Sequence, residues 1–510
     1  MSDDRFGAIR TVFTGGTVLV AGLVLELGTA FVGKLVLAIV YGKTSYGELS
    51  LGITLLTTVS LLVVVGLDRG IGRYLPRTET PAARRGLLVT GLRIVVGVSL
   101  VATVAVFVAA PTLARVFDTP ESTRLLRIFA LGIPFAALMR YAVGGIQGLQ
   151  KTLPRALIQN ITLPVVRFLG ILVAVGVAAG SLGVAVAYVL AYLLAGLAGL
   201  VYIARETSVF DRSVAWSPQY RELLSFSAPL VVTAAMAAVL SDVDIFMLGA
   251  LVGPSPVGIY NVVYPLANLL DTGLVALGFI FMPVFSELHD EGRTEDMRRT
   301  FQVATKWVVT GTLPLFLLFV FHPQLVITLT FTAEYAEGAQ ALAILAIGFF
   351  LPLLGGFNAS ALTSIGRTRA IMYDNVIVAA LNVGLNIVLI PRYSFLGAAI
   401  ATAVSYGLLN VLYAIQLYRA TGIQPLTRPL VLPTAAAAGV LLLLEAIARL
   451  YLTVTLPVVV GLFVVYLGAY ALIVLRLGGI EEEEVMLVNS AEEQLGVDLE
   501  PVKRVARRFM

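Results

Sequence analysis

Seven ionisable side chains sit inside long apolar stretches: Glu26, Lys34, Arg167, Asp242, Asp244, Asp271 and Glu445. A charge at membrane depth costs at least ~2.5–3.5 kcal/mol on insertion scales, so each is a candidate functional residue needing a partner or a wet cavity. Lys34 and Arg167 are the two cations. Lys34 lies roughly 10 Å below the end of its apolar segment at ~1.5 Å per residue, and Arg167 falls near the middle of its own. A buried ammonium or guanidinium suits an anion, a phosphate or diphosphate above all. The carboxylates of Glu26, Asp242, Asp244 and Asp271 suit a proton or a sodium ion. Glu445 reads as structural, because its segment stands outside the repeat described below.

Neutral polar residues add a pattern. Asn261, Tyr264, Asn268 and Asp271 are spaced 3, 4 and 3, which sets them on one helical face. The positions 211 residues earlier are Ser50, Ile53, Thr57 and Ser60, a second largely polar stripe. Two further seams pair Asn160 with Arg167, and Asn375 with Asn382 and Asn386. Lipid cannot satisfy such groups, so each stripe faces another helix or a cavity. Interhelical hydrogen bonding is the plain alternative for the amides and hydroxyls.

Other chemistries lack their residues. Cysteine is absent, which removes thiolate chemistry and disulfides, and His289 and His322 are the only histidines, which leaves little room for a His-ligated metal. The segment GGIQGLQKT at 144–152 places Leu149 and Gln150 where a phosphate-binding loop needs Gly next to Lys. The longest internal loop, about 286–302, is too short for a catalytic domain. The chain therefore reads as a non-enzyme without a cofactor, a coupling proton or sodium ion aside.

The elements that must position these residues follow from composition. Of the 510 residues 58% are hydrophobic and 13% charged, about half the ~25% of a soluble protein, and the mean hydropathy is +0.93. Apolar runs long enough for ~30 Å of hydrocarbon fall at 12–40, 47–67, 88–110, 124–146, 156–178 and 182–204, then 222–250, 258–285, 303–322, 339–364, 371–391 and 395–418, and last 429–449 and 455–476. Their length and their Leu, Val, Ala and Gly content predict helices rather than barrel strands. The fold class is all-α integral membrane, with about fourteen transmembrane helices. Of the 35 Lys and Arg, 27 fall in alternate loops and the two ends, against six in the intervening loops. That asymmetry places both termini in the cytoplasm. The basic balance serves the membrane, and no nucleic-acid partner is expected. The plasma membrane is the expected location and membrane lipids the expected surroundings. The tail at 480–510 reads as a solvated cytoplasmic segment.

The chain also repeats itself. LGVAVAYVLAY at 182–192 aligns with LGAAIATAVSY at 396–406, offset 214; YGKTSYG at 41–47 aligns with VGPSPVG at 252–258, offset 211; Asn160 and Arg167 align with Asn375 and Asn382, offset 215. An offset of six helices keeps both halves in one orientation, so the predicted architecture is two parallel six-helix lobes around a central cavity plus two C-terminal helices. The expected divisions are 1–205, 206–420, 421–479 and 480–510.

Three segments resemble a known family. YGKTSYGELSL, closing the first helix, is similar to a GxxxYGxYSL turn. GLDRGIGRYLPR after the second helix is similar to a DLGLxxxxxRY segment, and GGIQGLQKTLPRALIQN before the fifth to an xLQGxxRxxxxxxxQ loop. Together they resemble the polysaccharide-biosynthesis flippases (Wzx-type oligosaccharide exporters) of the multidrug/oligosaccharidyl-lipid/polysaccharide superfamily, over about 1–420. The resemblance implies a polyprenyl- or dolichyl-linked glycan as substrate, carried from the inner to the outer leaflet by a monomer. It implies cavity cations, here Lys34 and Arg167, as headgroup contacts. Glu26, Asp271 or another cavity acid would carry a coupling ion. The alternative within the superfamily is a multidrug or cation antiporter using Glu26, Asp242 or Asp244.

Overall fold

The computed structural model describes residues 2–119, 122–451 and 455–477, with the backbone alone over 2–21 and at several positions between 228 and 280. The expected tail at 480–510 lies outside the described residues. Nearly every regular element among the described residues is α-helical. In chain order these are α1 (Ser2–Val63), α2 (Leu67–Tyr74), α3 (Pro81–Val116), α4 (Thr123–Gly148), α5 (Thr152–Ala156), α6 (Leu163–Gly176), α7 (Gly180–Glu206), α8 (Tyr220–Leu251) and α9 (Pro254–Asp290). There follow α10 (Thr294–Phe321), α11 (Pro323–Thr330), α12 (Ala339–Leu354), α13 (Asn358–Ser364), α14 (Thr368–Tyr393), α15 (Phe395–Thr421), α16 (Arg428–Tyr451) and α17 (Leu456–Leu477). A π-turn over Leu157–Thr162 joins α5 to α6.

Eleven helices among the described residues are long and apolar enough to cross a membrane, which makes this a multi-pass membrane protein. The first two expected spans are the two helical segments of α1, which meet at a break at Gly42 (φ 69°, ψ 173°). Only glycine enters that backbone region without strain. The spans expected at 222–250 and 258–285 coincide with α8 and α9.

Helix α3 shows why such segments suit lipid. Thr80 caps its start by accepting from the Ala83 N–H at 3.1 Å, with Pro81 in the first turn, as helix termini require. Val101, Val104 and Val108, spaced 3 and 4, are 72%, 63% and 71% exposed. From Ser99 onward the buried positions are small or hydroxylated: Ser99, Thr103, Ala110 and Ala114. Apolar side chains face outward and small ones pack inward, the arrangement of helices solvated by lipid.

The chain forms two compact units. The first holds the described residues of 1–262, 330–335 and 386–395. In it α4 packs against α1, α3 and α7, and α1 against α6 and α8. The polar stretch between α7 and α8 is fastened to α3. Arg85 donates to the carbonyls of Val209 and Val214, Gln219 N–H donates to Thr90 Oγ1 at 3.2 Å, and the Arg93 guanidinium lies 4.3 Å from the Trp216 ring centroid.

The second unit holds the described residues of 263–329, 336–385 and 396–510. There α10 packs against α12 and α16, and α16 against α17. The two C-terminal helices are fixed by polar contacts as well. Tyr470 donates to the Thr310 carbonyl at 2.6 Å, and Glu445 meets His322 Nε2 at 2.5 Å and Arg449 Nε at 3.5 Å.

Candidate functional site

In the first unit α1, α2, α4, α7 and the α5–α6 segment enclose a cavity of about 580 Å³. Glu26, Asp68, Arg69, Arg140, Gln147, Arg155, Gln159, Arg167 and Tyr192 supply its polar lining. Local sequence explains each placement. Asp68 and Arg69 fall in the first turn of α2, where the helix dipole favours the carboxylate. Arg140 projects from the C-terminal third of α4. The π-turn over Leu157–Thr162 carries Gln159 and Asn160, and such insertions widen a helix and re-aim its side chains, often at functional sites.

Four guanidinium groups face two carboxylates around this space. Among the described residues none of Arg69, Arg140, Arg155 and Arg167 forms a salt bridge. Glu26 instead accepts from the Asn160 side-chain amide. Arg167 rests 5.5 Å from the ring centroid of Tyr188, a cation–π contact that holds the planar group in place. Guanidinium forks with free donors bind phosphate bidentately, and each such bond contributes about 1.5–3 kcal/mol. The cavity is therefore chemically suited to a phosphate or diphosphate.

The predicted residues divide around it. Glu26 and Arg167 line the cavity, and Asn160 reaches it through Glu26. Lys34 is outside this lining, yet Arg167 and Asp242 are its charged neighbours. Asp242 accepts from the Thr58 hydroxyl at 2.8 Å and has Arg140 as a further charged neighbour. Asp244, two residues on and 3% exposed, accepts from Tyr260 at 2.9 Å and from Asn386 at 2.5 Å. The two aspartates thus serve different surroundings, as opposite sides of one helix must.

The stripe on α9 does not act as one surface. The Asn261 amide donates to its own helix at Val257, 3.2 Å away. Tyr264 packs edge-on to Phe349 with centroids 5.5 Å apart, and Asn268 is exposed. Asp271 lines a second cavity of about 180 Å³ inside the second unit, with Phe349, Ser360, Tyr406, Asn410 and Tyr413. Asn375 accepts from Tyr413 at 3.2 Å, and Asn382 is buried at 2% exposure.

Arg69, Arg140 and Arg155 belong to the 27 basic residues of the alternate loops and two ends, and the sequence did not mark them as cavity residues. Their spacing carries no common helical period, since each comes from a different element. The available signal was the concentration of Arg toward the ends of neighbouring helices.

Comparison with known proteins bears on the family and the fold. Residues 12–289 match the family described as polysaccharide biosynthesis protein, and residues 229–388 match the MatE family. An uncharacterized membrane protein of Methanocaldococcus jannaschii is 27% identical over 204 residues, 40% of this chain and 39% of that one. The teichuronic acid biosynthesis protein TuaB of Bacillus subtilis is 25% identical over 320 residues, 60% of this chain and 62% of its own length. The chain thus spans less than two thirds of either relative. Among solved structures, the lipid II flippase MurJ in an inward closed conformation superposes with a TM-score of 0.70 at 12% identity, covering 89% of this chain and 98% of that one.

Proposed function

The chain belongs to the polysaccharide biosynthesis protein family, and on that premise we propose that it is a flippase for a lipid-linked oligosaccharide. The substrate class is a glycan joined through phosphate or diphosphate to a polyprenyl or dolichyl carrier. It passes from the cytoplasmic to the outer leaflet of the plasma membrane for polysaccharide or glycoprotein glycan assembly. The observation that carries this reading is the cavity of four guanidinium groups that, among the described residues, form no salt bridge, in a membrane domain.

In this reading the two repeats, 1–205 and 206–420, rock about a site between membrane faces, with both termini cytoplasmic and a monomer as the working unit. The (di)phosphate occupies the arginine cavity while the carrier's tail stays in lipid. Lys34 extends the cationic path beyond Arg167. The driving force is the inside-negative potential, which favours outward anion movement by ~2.3 kcal/mol per charge per 100 mV. Asp242, Asp244 and Asp271 are the candidates for a proton or sodium ion if an ion gradient drives the cycle instead.

A cation antiporter is the second reading, favoured by the MatE match and by those same carboxylates. The excess of guanidinium groups in the first unit's cavity opposes an organic cation there.

The test is flipping of a fluorescent polyprenyl-diphosphate oligosaccharide in proteoliposomes, with membrane potential, proton gradient and sodium gradient imposed separately. Outward transport that follows the potential and is lost in Arg167→Ala supports the proposal. Transport of tetraphenylphosphonium without any transport of the lipid would replace it with the antiporter.

A further inference from the structure

The arginine cavity of the first unit holds acceptors as well as donors, and an ionised phosphate cannot use the acceptors. Asp68 is half-buried, and among the described residues its carboxylate has no hydrogen-bond or ion-pair partner. Glu26 engages Asn160 through one oxygen and has the other to spare. Gln159 Oε1 is buried with no hydrogen-bond partner among the described residues. The last torsion of a glutamine is broad, so this oxygen can turn toward a donor that enters the cavity. All these oxygens accept only, as do those of an ionised (di)phosphate. A ligand that completes the lining must bring hydroxyl or amide hydrogens together with negative charge.

The elements set the reach of that ligand. Arg155, Gln159, Leu163 and Arg167 follow one another at four-residue spacing and all line the cavity. In a regular α-helix such a row drifts around the axis. The π-turn over Leu157–Thr162 has a wider turn and holds the row on one face. From Arg155 to Arg167 the row covers roughly 18 Å at ~1.5 Å per residue, with Gln159 between the two arginines. Arg140, Val143, Gly144 and Gln147 form a second lining row on α4, one face of that helix. Gly144 brings α2 to backbone contact with it, since a Cβ there would lie 2.5 Å from Asp68 Cα. Asp68 is thereby fixed beside the α4 row. A diphosphate is too short to meet all of these groups. A volume of about 580 Å³ falls within the ~300–1,000 Å³ of sites that enclose a whole small ligand.

We infer that this one cavity also selects the first sugar of the glycan, with Asp68, Glu26 and Gln159 accepting its hydroxyl hydrogens beside the (di)phosphate held by the arginines. This deepens the flippase reading and rests on it. The sugar class is a neutral pyranose with free hydroxyl groups. Tyr192, also in the lining, offers a ring to its C–H face. A second phosphate group is the competing occupant of the same space. Asp68 and Glu26 weigh against it, because like charges repel and a phosphate leaves their oxygens without donors.

The test measures binding to the purified full-length protein in lipid nanodiscs. The probes are polyprenyl methyl diphosphate and polyprenyl hexosyl diphosphate, which carry equal charge and differ only in the sugar. The unaltered protein should prefer the hexosyl lipid by about tenfold or more, the scale of hydrogen bonds to a charged group. Asp68→Ala and Gln159→Leu should each lower that preference by about threefold or more, and the double variant should erase it. Gln159→Glu keeps an acceptor and should retain the preference, while its added charge weakens both lipids. Arg167→Ala should weaken both lipids alike. The preference compares two ligands on one preparation, so a partly unfolded sample does not alter it.

Equal affinity of the unaltered protein for the two lipids overturns the inference, as does a preference that survives the Asp68→Ala, Gln159→Leu double variant. Loss of the preference in Gln159→Glu as well would make Gln159 a packing residue, and would overturn its role as an acceptor. Failure of the unaltered protein to bind either lipid would instead count against the flippase reading itself.

Discussion

Gly47 and Gly258 are reciprocal halves of one crossing in the first unit. A Cβ on Gly47 would lie 1.9 Å from the Pro254 carbonyl oxygen, and a Cβ on Gly258 would lie 1.9 Å from the Lys43 carbonyl oxygen. Both Gly47 and Gly258, and Lys43 and Pro254, are 211 residues apart. The contact is therefore self-complementary, as two-fold interfaces are. The preceding glycines follow suit: Gly42 and Gly253, again 211 residues apart, both have positive φ.

Such a crossing holds two helices at backbone contact, on the side that the loop charges assign to the exterior. Gly47→Val or Gly258→Val must force the helices apart. We expect each variant to insert normally and to lower lipid transport by about tenfold or more, the effect of roughly 1.4 kcal/mol on the transport barrier. The chain has no cysteine, so a single Ser50→Cys probe, buried at 6% exposure, reports the opening directly. Its labelling by an impermeant maleimide from outside should rise in both valine variants. Unchanged labelling together with unchanged transport would show that the crossing does not gate the path.

The bend in α1 has its own supports. Glu334 accepts from the Lys43 N–H at 3.1 Å, and Tyr335 donates to the Ala38 carbonyl at 3.0 Å. These two side chains satisfy backbone groups that the break at Gly42 frees. Gly42→Ala would both strain φ and set its methyl 3.2 Å from Glu334, so a loss of about 1–3 kcal/mol is expected. Glu334→Ala should lose less, about 1 kcal/mol, and Glu334→Gln less again, because the amide oxygen still accepts. Thermal unfolding followed by circular dichroism in one detergent ranks the three. An order with Glu334→Ala worst would mean that the acid does more than cap Lys43.

The fold was legible in the sequence because lipid imposes a strong rule: apolar length means a helix. The repeat was legible for a related reason. Gly42, Gly47, Gly253 and Gly258 carry a backbone geometry that other residues do not tolerate, so the duplication keeps them in register. The break at Gly42 falls in the gap between the first two expected spans, but its backbone geometry was not legible, since hydropathy ignores φ. The site was readable in part. Arg167 and Glu26 stood out by depth, whereas Arg69, Arg140 and Arg155 sit near helix ends, where arginine is ordinary. The stripe on α9 was over-read, because one helical face can meet several different neighbours along its length, as Asn261, Tyr264 and Asp271 do.

Within the arginine cavity the members should not be equivalent. Arg167 is held against Tyr188, so its fork is pre-oriented. Arg140 is also a charged neighbour of Asp242. Arg167→Lys keeps the charge but loses the bidentate geometry, and we expect lipid-diphosphate affinity to fall by about tenfold. Arg167→Ala should fall further, by up to about 100-fold. Arg140→Ala should weaken binding and also change the ion dependence of transport, because it removes a neighbour of Asp242. Equal behaviour of Arg167→Lys and the unaltered protein in a binding titration would show that the site reads charge alone.

Glu445 tests where function stops. It is 4% exposed, with His322 at 2.5 Å and Arg449 at 3.5 Å, and its helix pairs with α17 outside the repeat. A buried carboxylate with two partners loses little when it is present and much when one side is removed, because the remaining groups stay desolvated. Glu445→Ala should therefore destabilise the protein by about 3–5 kcal/mol. Glu445→Gln should lose less, since the amide still bonds His322. Neither change should alter the affinity of protein that remains folded for a polyprenyl diphosphate. Unfolding curves and lipid titrations on the same preparations separate the two effects. A Glu445→Gln protein of normal stability with weakened lipid binding would move Glu445 from scaffold to site, and would extend the substrate path to the C-terminal helices.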